Sequence, residues 1–491
     1  MISVCLQGHE FKNEIFDIIK LFYRDEEIIF ADQPREDSRG IFIFSSLVEN
    51  DGKVQSLLEL EQDGRKFSDQ RELICLNDGK KGIERKILKR EFKRQLYLFL
   101  STSLNEKMPW GMLTGIRPAK IVHEMMEKGL AQEEIFLNLK EYYMLSEEKA
   151  SLAYEVASVE KGFLDRTSQE QIGIYIGIPF CPTRCLYCSF TSNPIKKYER
   201  HVENYISTLC REIKAVAEIT KQKNLKIQSI YIGGGTPTSL NAEKLCSLLN
   251  SIEAGFDLSA MEEYTLEAGR PDSISKDKLI AIRNSRVDRI SINPQSMNEE
   301  TLKVIGRNHS PEDIVRSFEL ARECGIGNIN MDVIAGLPGE NLNMFVNTMK
   351  EIEQLKPDSL TVHTMSIKRA SRLNEEREKY SLEGEKEVAD MISLAQEAAV
   401  RMGMHPYYLY RQKNILGNME NVGYSKPGKE SIYNIQIMEE KQTIVALGAG
   451  AITKVVYPEE NRIERAFNVK SVEEYIARID EMIERKKALL L

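Results

Sequence analysis

No run of apolar residues in this chain of 491 reaches the roughly 20 needed to cross a bilayer. The opening segment, MISVCLQGHEFKNE, lacks a basic stretch leading into an apolar one, so no targeting signal is expected and the chain is expected in the cytoplasm. Excess positive charge is missing too: 67 Lys and Arg stand against 75 Asp and Glu, a net charge of −8. Broad nucleic-acid binding runs on phosphate neutralisation, and this balance argues against it. A local basic pocket for an anionic substrate stays compatible with an acidic protein. There is no internal repeat, low-complexity tract or Pro-rich linker, and no exposed heptad argues for assembly, which leaves the oligomeric state open. What remains, 42% hydrophobic and 29% charged residues, is the composition of a soluble globular protein.

The length exceeds one ordinary core and predicts several domains. Residues 1–80 read as an α+β region, with EEIIFAD and GIFIFSSLV as strands and FKNEIFDIIKLFY as an amphipathic helix. Residues 81–165 read as helical. Within them LTGIRPAKIVHEMMEKG has Pro118 near a helix start and Gly129 at its stop. The basic segment GKKGIERKILKREFKRQ raises an RNA-binding reading, and a solvated helix face with acidic neighbours elsewhere is the preferred one. From residue 166 to 380 the rhythm is strand, loop, helix, with strands at IGIYIGI, IQSIYIG, EYTLEA, RISI, INMDVIAG and DSLTVH. Such alternation implies parallel strands with right-handed crossovers, and six units predict a partial (β/α)6 barrel with its site in the loops after the strands. Residues 381–491 become irregular and are expected to form a C-terminal region covering the barrel mouth.

Three of the eight cysteines fall within eight positions, Cys181, Cys185 and Cys188 in YIGIPFCPTRCLYCSF. The other five are scattered without a pairing pattern and read as core residues or free thiols. Thiolates select zinc or iron–sulfur clusters. Structural zinc normally takes four ligands from two short pairs, and no second pair exists here. A cubane cluster held by three thiolates leaves one iron open for a further ligand. Downstream, YIGGGTPTSL puts three glycines at a strand end, where backbone N–H groups can cradle a charged head group.

The spacing C-x3-C-x2-C after the first barrel strand resembles the radical S-adenosylmethionine (SAM) superfamily. The ordered series YIGIPFCPTRCLYCSF, GGGTPTSL, TLEAGRPDSI, RISINPQSMNEETLKVIGRNHS and NMDVIAGLPGE narrows the likeness. Over about residues 172–460 the chain resembles the oxygen-independent coproporphyrinogen III oxidases. With its N-terminal extension, containing PWGMLTGIRPAK, it looks like the longer coproporphyrinogen dehydrogenase branch, the HemZ type. No chemistry is recognised in that extension.

The resemblance implies a [4Fe–4S] cluster on Cys181, Cys185 and Cys188, with SAM on the open iron. It implies contacts to that SAM from Tyr175, Gly234, Glu267 and Ile452. Gly235, Thr236, Gln295, Arg307 and Asp332 match contacts to a second SAM, and Tyr187 and Ser366 occupy equivalent contact positions. The implied activity is oxidative decarboxylation of coproporphyrinogen III to protoporphyrinogen IX in porphyrin and haem biosynthesis. An electron donor such as flavodoxin or ferredoxin is implied with it. Four substrate carboxylates call for cations, and Arg411, Lys413, Lys426 and Lys429 are the candidates, with ordinary surface charge as the competing reading.

Two departures matter. The best-known oxidases carry a further cysteine two positions after the third, where this chain has Phe190. The related haem chaperones carry a His-Asn-x-x-Tyr-Trp motif, where this chain has Tyr433, Asn434, Ile437 and Met438. Two alternatives remain beside the oxidase: a tetrapyrrole-binding chaperone without turnover, and a radical SAM methyl transfer with ring opening on a porphyrin.

Overall fold

The computed structural model describes residues 1–31, 40–50, 53–73, 81–115, 117–190, 192–412 and 415–491, with the side chains at 50 and 81–84 outside the description. The chain divides into two compact units. One comprises Met1–Gly115 and Glu124–Tyr154; the other comprises Ile116–His123 and Glu155–Leu491.

The first unit is built on a five-stranded sheet in the order Ile28–Ala31, Ile2–Gln7, Ile41–Asn50, Lys53–Gln62, Arg65–Leu73. Its first three strands are parallel and the rest antiparallel. The helix Lys12–Phe22 buries Ile15, Ile18 and Ile19, the i, i+3, i+4 face that its apolar spacing dictates. The basic helix, Lys81–Leu104, buries Phe92, Leu96 and Leu100 in the same core. Its cations have partners inside the unit: Lys89 pairs with Glu14, Lys93 donates to Thr114 and Arg94 to the Tyr142 carbonyl.

The second unit carries one eleven-stranded sheet. We label its strands β1 (Gln171–Ile178), β2 (Lys226–Gly234), β3 (Glu263–Glu267), β4 (Arg289–Ser291), β5 (Ile329–Ala335), β6 (Ser359–Thr364), β7 (His405–Tyr410), β8 (Asn421–Ser425), β9 (Ile444–Leu447), β10 (Ile452–Tyr457) and β11 (Arg462–Phe467). Across the sheet the order is β7-β8-β6-β5-β4-β3-β2-β1-β9-β10-β11. Strands β1 to β6 are mutually parallel, with helices in each crossover, and no pairing among the described residues closes the sheet. The fold is thus mixed α/β with a central parallel sheet. The stretch after residue 403, irregular by sequence, supplies five of the strands.

Buried parallel strands still alternate. On β1 and β2 the isoleucines Ile174, Ile176, Ile230 and Ile232 pack in the core, while Tyr175 and Tyr231 take the other face beside glycines. Hydrophobic burial drives the first face, and the second is left to line a cavity.

A buried ion pair fastens the C-terminus. Lys486, on the last helix (Ile479–Leu490), lies 2.7 Å from Glu212 on the helix Ile195–Gln222, and both are essentially inaccessible. Glu212 also accepts from Asn468 at 2.9 Å, Tyr475 at 2.6 Å and the Gly448 N–H at 2.8 Å. Every carboxylate lone pair facing this pocket therefore meets a donor, which offsets its desolvation. Lys486→Ala should destabilise the folded state by about 3–5 kcal/mol, since it strands a buried carboxylate. Lys486→Met should cost no less while the charge of Glu212 remains, and a denaturant-unfolding midpoint checks both.

Candidate active site

The loop after β1 carries the three cysteines. It is tied to the glycine turn after β2 by two backbone bonds, Gly235 N–H to the Ile178 carbonyl at 2.8 Å and Thr236 N–H to the Phe180 carbonyl at 2.7 Å. The Thr236 hydroxyl lies 3.6 Å from Cys181 Sγ. Gly234 adopts φ +110°, and a Cβ on Gly235 would stand 2.5 Å from the Phe180 oxygen and 2.9 Å from Cys181 Sγ. Only glycine permits this approach.

These loops open onto a cavity of about 750 Å³ lined by the inward faces of β1, β2, β5 and β6. Tyr175 stacks on Tyr231, and Tyr231 on Tyr433 with centroids 4.4 Å apart. The Tyr231 hydroxyl donates to Glu267 at 2.6 Å. Burial, opposed by that bond and reinforced by the Asp332 charge, pushes the Glu267 carboxyl up to about 7. Asp332 goes the other way. Burial works against its charge, but the nearby His363 and the bond from the Asn330 amide outweigh it and hold the carboxyl below its ordinary value. Arg307 donates to the Asn293 carbonyl and lies 3.4 Å from the Tyr187 hydroxyl. Gln295 sits at φ +67° between β4 and β5, with its side-chain oxygen buried and unpartnered.

Burial pushes the Cys188 thiol up to about 11, with Cys185 and Cys181 adding to the effect, and burial also raises Cys181. Three thiolates gathered there require a compensating cation. Arg270 is part of the answer: it grips Asp272 with two nitrogens at 2.9 and 2.8 Å and points a third at Thr183 and, 3.8 Å away, at Cys185 Sγ.

A family model for the radical SAM superfamily matches residues 175–352. The oxygen-independent coproporphyrinogen-III oxidase-like protein HemZ of Bacillus subtilis (strain 168) is 43% identical over 388 residues, 78% of this chain and 77% of that protein. The chain belongs to the HemZ-like family of the radical SAM superfamily. The heme chaperone HemW of the same organism is 31% identical over 280 residues, 56% of this chain and 69% of that one. The solved structure of coproporphyrinogen III oxidase (HemN) from Escherichia coli superposes with a TM-score of 0.51 at 21% identity. It covers 67% of this chain and 73% of that one, a likeness of fold.

The cofactors of this radical SAM chain are a [4Fe–4S] cluster and SAM. The site suits them. Buried unpartnered oxygens on Gln295 and Asn293 and the close backbone at Gly234 and Gly235 leave hydrogen-bonding capacity for a polar ligand.

The structure brings Tyr175, Tyr187, Gly234, Gly235, Thr236, Glu267, Gln295, Arg307, Asp332 and Ser366 onto one cavity with the three cysteines. It does not bring Ile452 there. On β10, Thr453 turns inward while Ile452 is 41% exposed opposite Phe467. Three of the proposed substrate cations, Arg411, Lys426 and Lys429, are absent from the cavity lining too. Lys426 N–H and Nζ engage Asp358 and the Lys429 carbonyl accepts from Arg289, all at the amino-terminal ends of β4 and β6, opposite the cysteine loop. Arg411 is buried and donates to the Asn418 carbonyl. Lys413 falls outside the described residues.

Sequence reasoning missed Arg270, Tyr231, Lys368, His363 and Tyr410, which line the same cavity. The signal was available for two of them: Tyr231 shares the inward face with Gly233, and Arg270 follows Glu267 by three residues at a strand end. Phe190 lies at the cavity too, 72% exposed. Gly235→Ala should overlap the cysteine loop at a cost of ~1–3 kcal/mol. The expected result is a several-fold fall in iron and sulfide retained after anaerobic reconstitution, with the circular dichroism of the fold unchanged.

Proposed function

We propose that this chain is an enzyme that decarboxylates coproporphyrinogen III oxidatively to protoporphyrinogen IX without oxygen. In each of two propionate side chains, loss of a β-hydrogen atom, carbon dioxide and one electron leaves a vinyl group. The observation that carries the reading is the wall of the cavity facing the cysteine loop. Where the haem chaperones have a histidine and an aromatic pair, Tyr433, Asn434, Ile437 and Met438 line it, and Tyr433 is stacked against Tyr231. That surface suits packing against a tetrapyrrole face better than ligating haem iron.

Cys181, Cys185 and Cys188 would hold the cluster. When bound, the cluster and SAM supply the 5′-deoxyadenosyl radical that removes the hydrogen atom. Glu267 and Asp332 can accept from an ammonium or from ribose hydroxyls, and Arg307 can fork onto a carboxylate. The same set, with Gly235, Thr236 and Gln295, offers enough donors and acceptors for a second SAM. The stacked tyrosines exclude water beside Glu267. Lys368, whose pKa burial lowers and which lies on the cavity wall, is a better candidate for a substrate carboxylate than Arg411, Lys426 or Lys429. A one-electron donor of flavodoxin or ferredoxin type to reduce the cluster, with a one-electron acceptor for the electron lost from each side chain, completes the scheme, and a cytoplasmic setting suits it.

The test is anaerobic turnover of coproporphyrinogen III by reconstituted protein with SAM and dithionite, read by mass spectrometry, with Cys185→Ser as control. Protoporphyrinogen lost in the control supports the oxidase. Deoxyadenosine without decarboxylated product would falsify the substrate assignment, and a methylated linear tetrapyrrole would replace it with ring opening. Stable haem binding without turnover would favour the chaperone reading that the HemW likeness raises. The acid in the site gives an independent check. Glu267 is ionised only above about pH 7, so if its carboxylate accepts from SAM, affinity should weaken as pH falls through 7, by about tenfold per unit once the neutral acid dominates. Glu267→Gln should flatten that profile between pH 6 and 8.

A further inference from the structure

Away from the cavity, the second unit encloses a group of side chains that neither the cluster nor SAM engages. His123, Glu160 and Glu439 each offer a ligand atom, and the three atoms lie within 4.8 Å of one another. They come from distant places: the helix Ala119–Glu127, the helix Glu147–Leu164 and the last residue of the helix Ile432–Glu439. All are buried, at 6%, 0% and 4% exposure. His123 Nε2 stands 2.8 Å from one oxygen of Glu160. The other oxygen of Glu160 and one oxygen of Glu439 are buried and have no hydrogen-bond partner among the described residues.

Two carboxylates this close in the interior cannot both carry a charge without a compensating cation. Burial raises both, Glu439 to about 7, and the charge of Glu160 adds to the rise at Glu439. The nearest fixed cation does not resolve this. Arg117 donates to the carbonyls of Met438 and Glu439 at 3.0 Å and pairs with Glu440 at 3.2 Å, so its guanidinium closes the end of that helix and leaves the Glu439 carboxylate without a direct partner from it. The charge of Lys441 lowers Glu439 and acts against the burial that raises it.

We propose that His123, Glu160 and Glu439 form a binding site for one divalent first-row transition cation, with zinc as the best-suited ion. One imidazole nitrogen and two carboxylate oxygens are the mixed donor set that borderline cations select. Two carboxylates against a charge of +2 leave the pocket neutral. The donors already stand near one another, so small rotamer adjustments bring them to the ~2.0–2.2 Å bonds such ions make. The ion would replace the His123–Glu160 hydrogen bond and satisfy both orphaned oxygens at once. Because Glu439 ends the helix that carries Tyr433, Asn434, Ile437 and Met438, the ion would also pin that wall of the cavity to the segment 117–123 of the same unit. That segment had no chemistry assigned to it by sequence.

The experiment uses the full-length chain with Cys181, Cys185 and Cys188 changed to Ser, so that the cluster site takes no metal. After incubation with Zn2+ and desalting, this parent should retain about one zinc per chain. Adding Zn2+ should also raise its unfolding temperature by several degrees. Glu160→Gln and Glu439→Gln keep shape and remove charge; each should lose most of the zinc and the temperature shift while still unfolding cooperatively. Co2+ gives the second readout on the parent alone: d–d absorption without thiolate-to-cobalt charge transfer marks nitrogen and oxygen ligation. Zinc retained equally by parent and amide variants, no zinc in the parent, or a cobalt spectrum with thiolate character would each overturn the site. Should an amide variant fail to fold, the cobalt spectrum and the zinc-dependent shift of the parent still decide it.

Discussion

The contact that the rest of the site depends on is between two backbones. The glycine turn after β2 and the cysteine loop after β1 are joined by the Gly235 and Thr236 N–H groups, so the sulfurs are placed by main-chain geometry. Parallel pairing puts Ile178 opposite Gly234, and this register carries the loop to the turn. A one-residue slip would reverse both faces, sending Tyr175 and Tyr231 into the core and the isoleucines into the cavity. Burial of the isoleucine faces therefore also fixes where the metal ligands stand. Beneath, the Tyr205 hydroxyl donates to the Gly177 carbonyl at 2.7 Å and accepts from Ala449 N–H at 3.0 Å, locking the end of β1 to the turn after β9.

Two carboxyl groups in one cavity are driven apart by their surroundings. Glu267 has a tyrosine donor and little else, and stays largely protonated up to neutral pH. Asp332 has His363 3.8 Å away and the Asn330 amide at 2.7 Å, and stays ionised. Paired acids with separated protonation are a common way to give one site both a donor and an acceptor. Here the two acids stand on β3 and β5, two strands apart, and each is set by its own neighbours.

Much of this was legible in the sequence because it is local. The cysteine spacing, the glycine turn and the strand–helix rhythm all lie within short windows, and residues just past strand ends converge wherever parallel strands run side by side. Glu267, Gln295 and Asp332 came from the resemblance to the oxidase family, and they line the cavity. What was not legible depends on long-range pairing. Lys426 and Lys429 looked well placed as cations near the end of the chain, yet β8 runs antiparallel to β6 and delivers them to the far end of the sheet. Ile452 missed the cavity through strand alternation across a hairpin that the sequence did not reveal. Tyr410 reaches it through the β6–β8–β7 pairing, which no short window encodes. The group of His123, Glu160 and Glu439 spans more than 300 positions and has no motif.

The cavity wall formed by Ile432–Glu439 has one more consequence. Its first turn is held by Glu263 at the amino-terminal end of β3, which accepts from Ser431 Oγ at 2.9 Å and Tyr433 N–H at 3.2 Å. The anchor uses the helix start and the peptide backbone, so it places little demand on the side chains at 434, 437 and 438. Those positions are free to diverge while the cysteine loop, the glycine turn and the strand ends stay unchanged. The fold thereby separates the backbone contacts that hold the cysteine loop from the side chains of one cavity wall, so that wall can be recut without disturbing the loop.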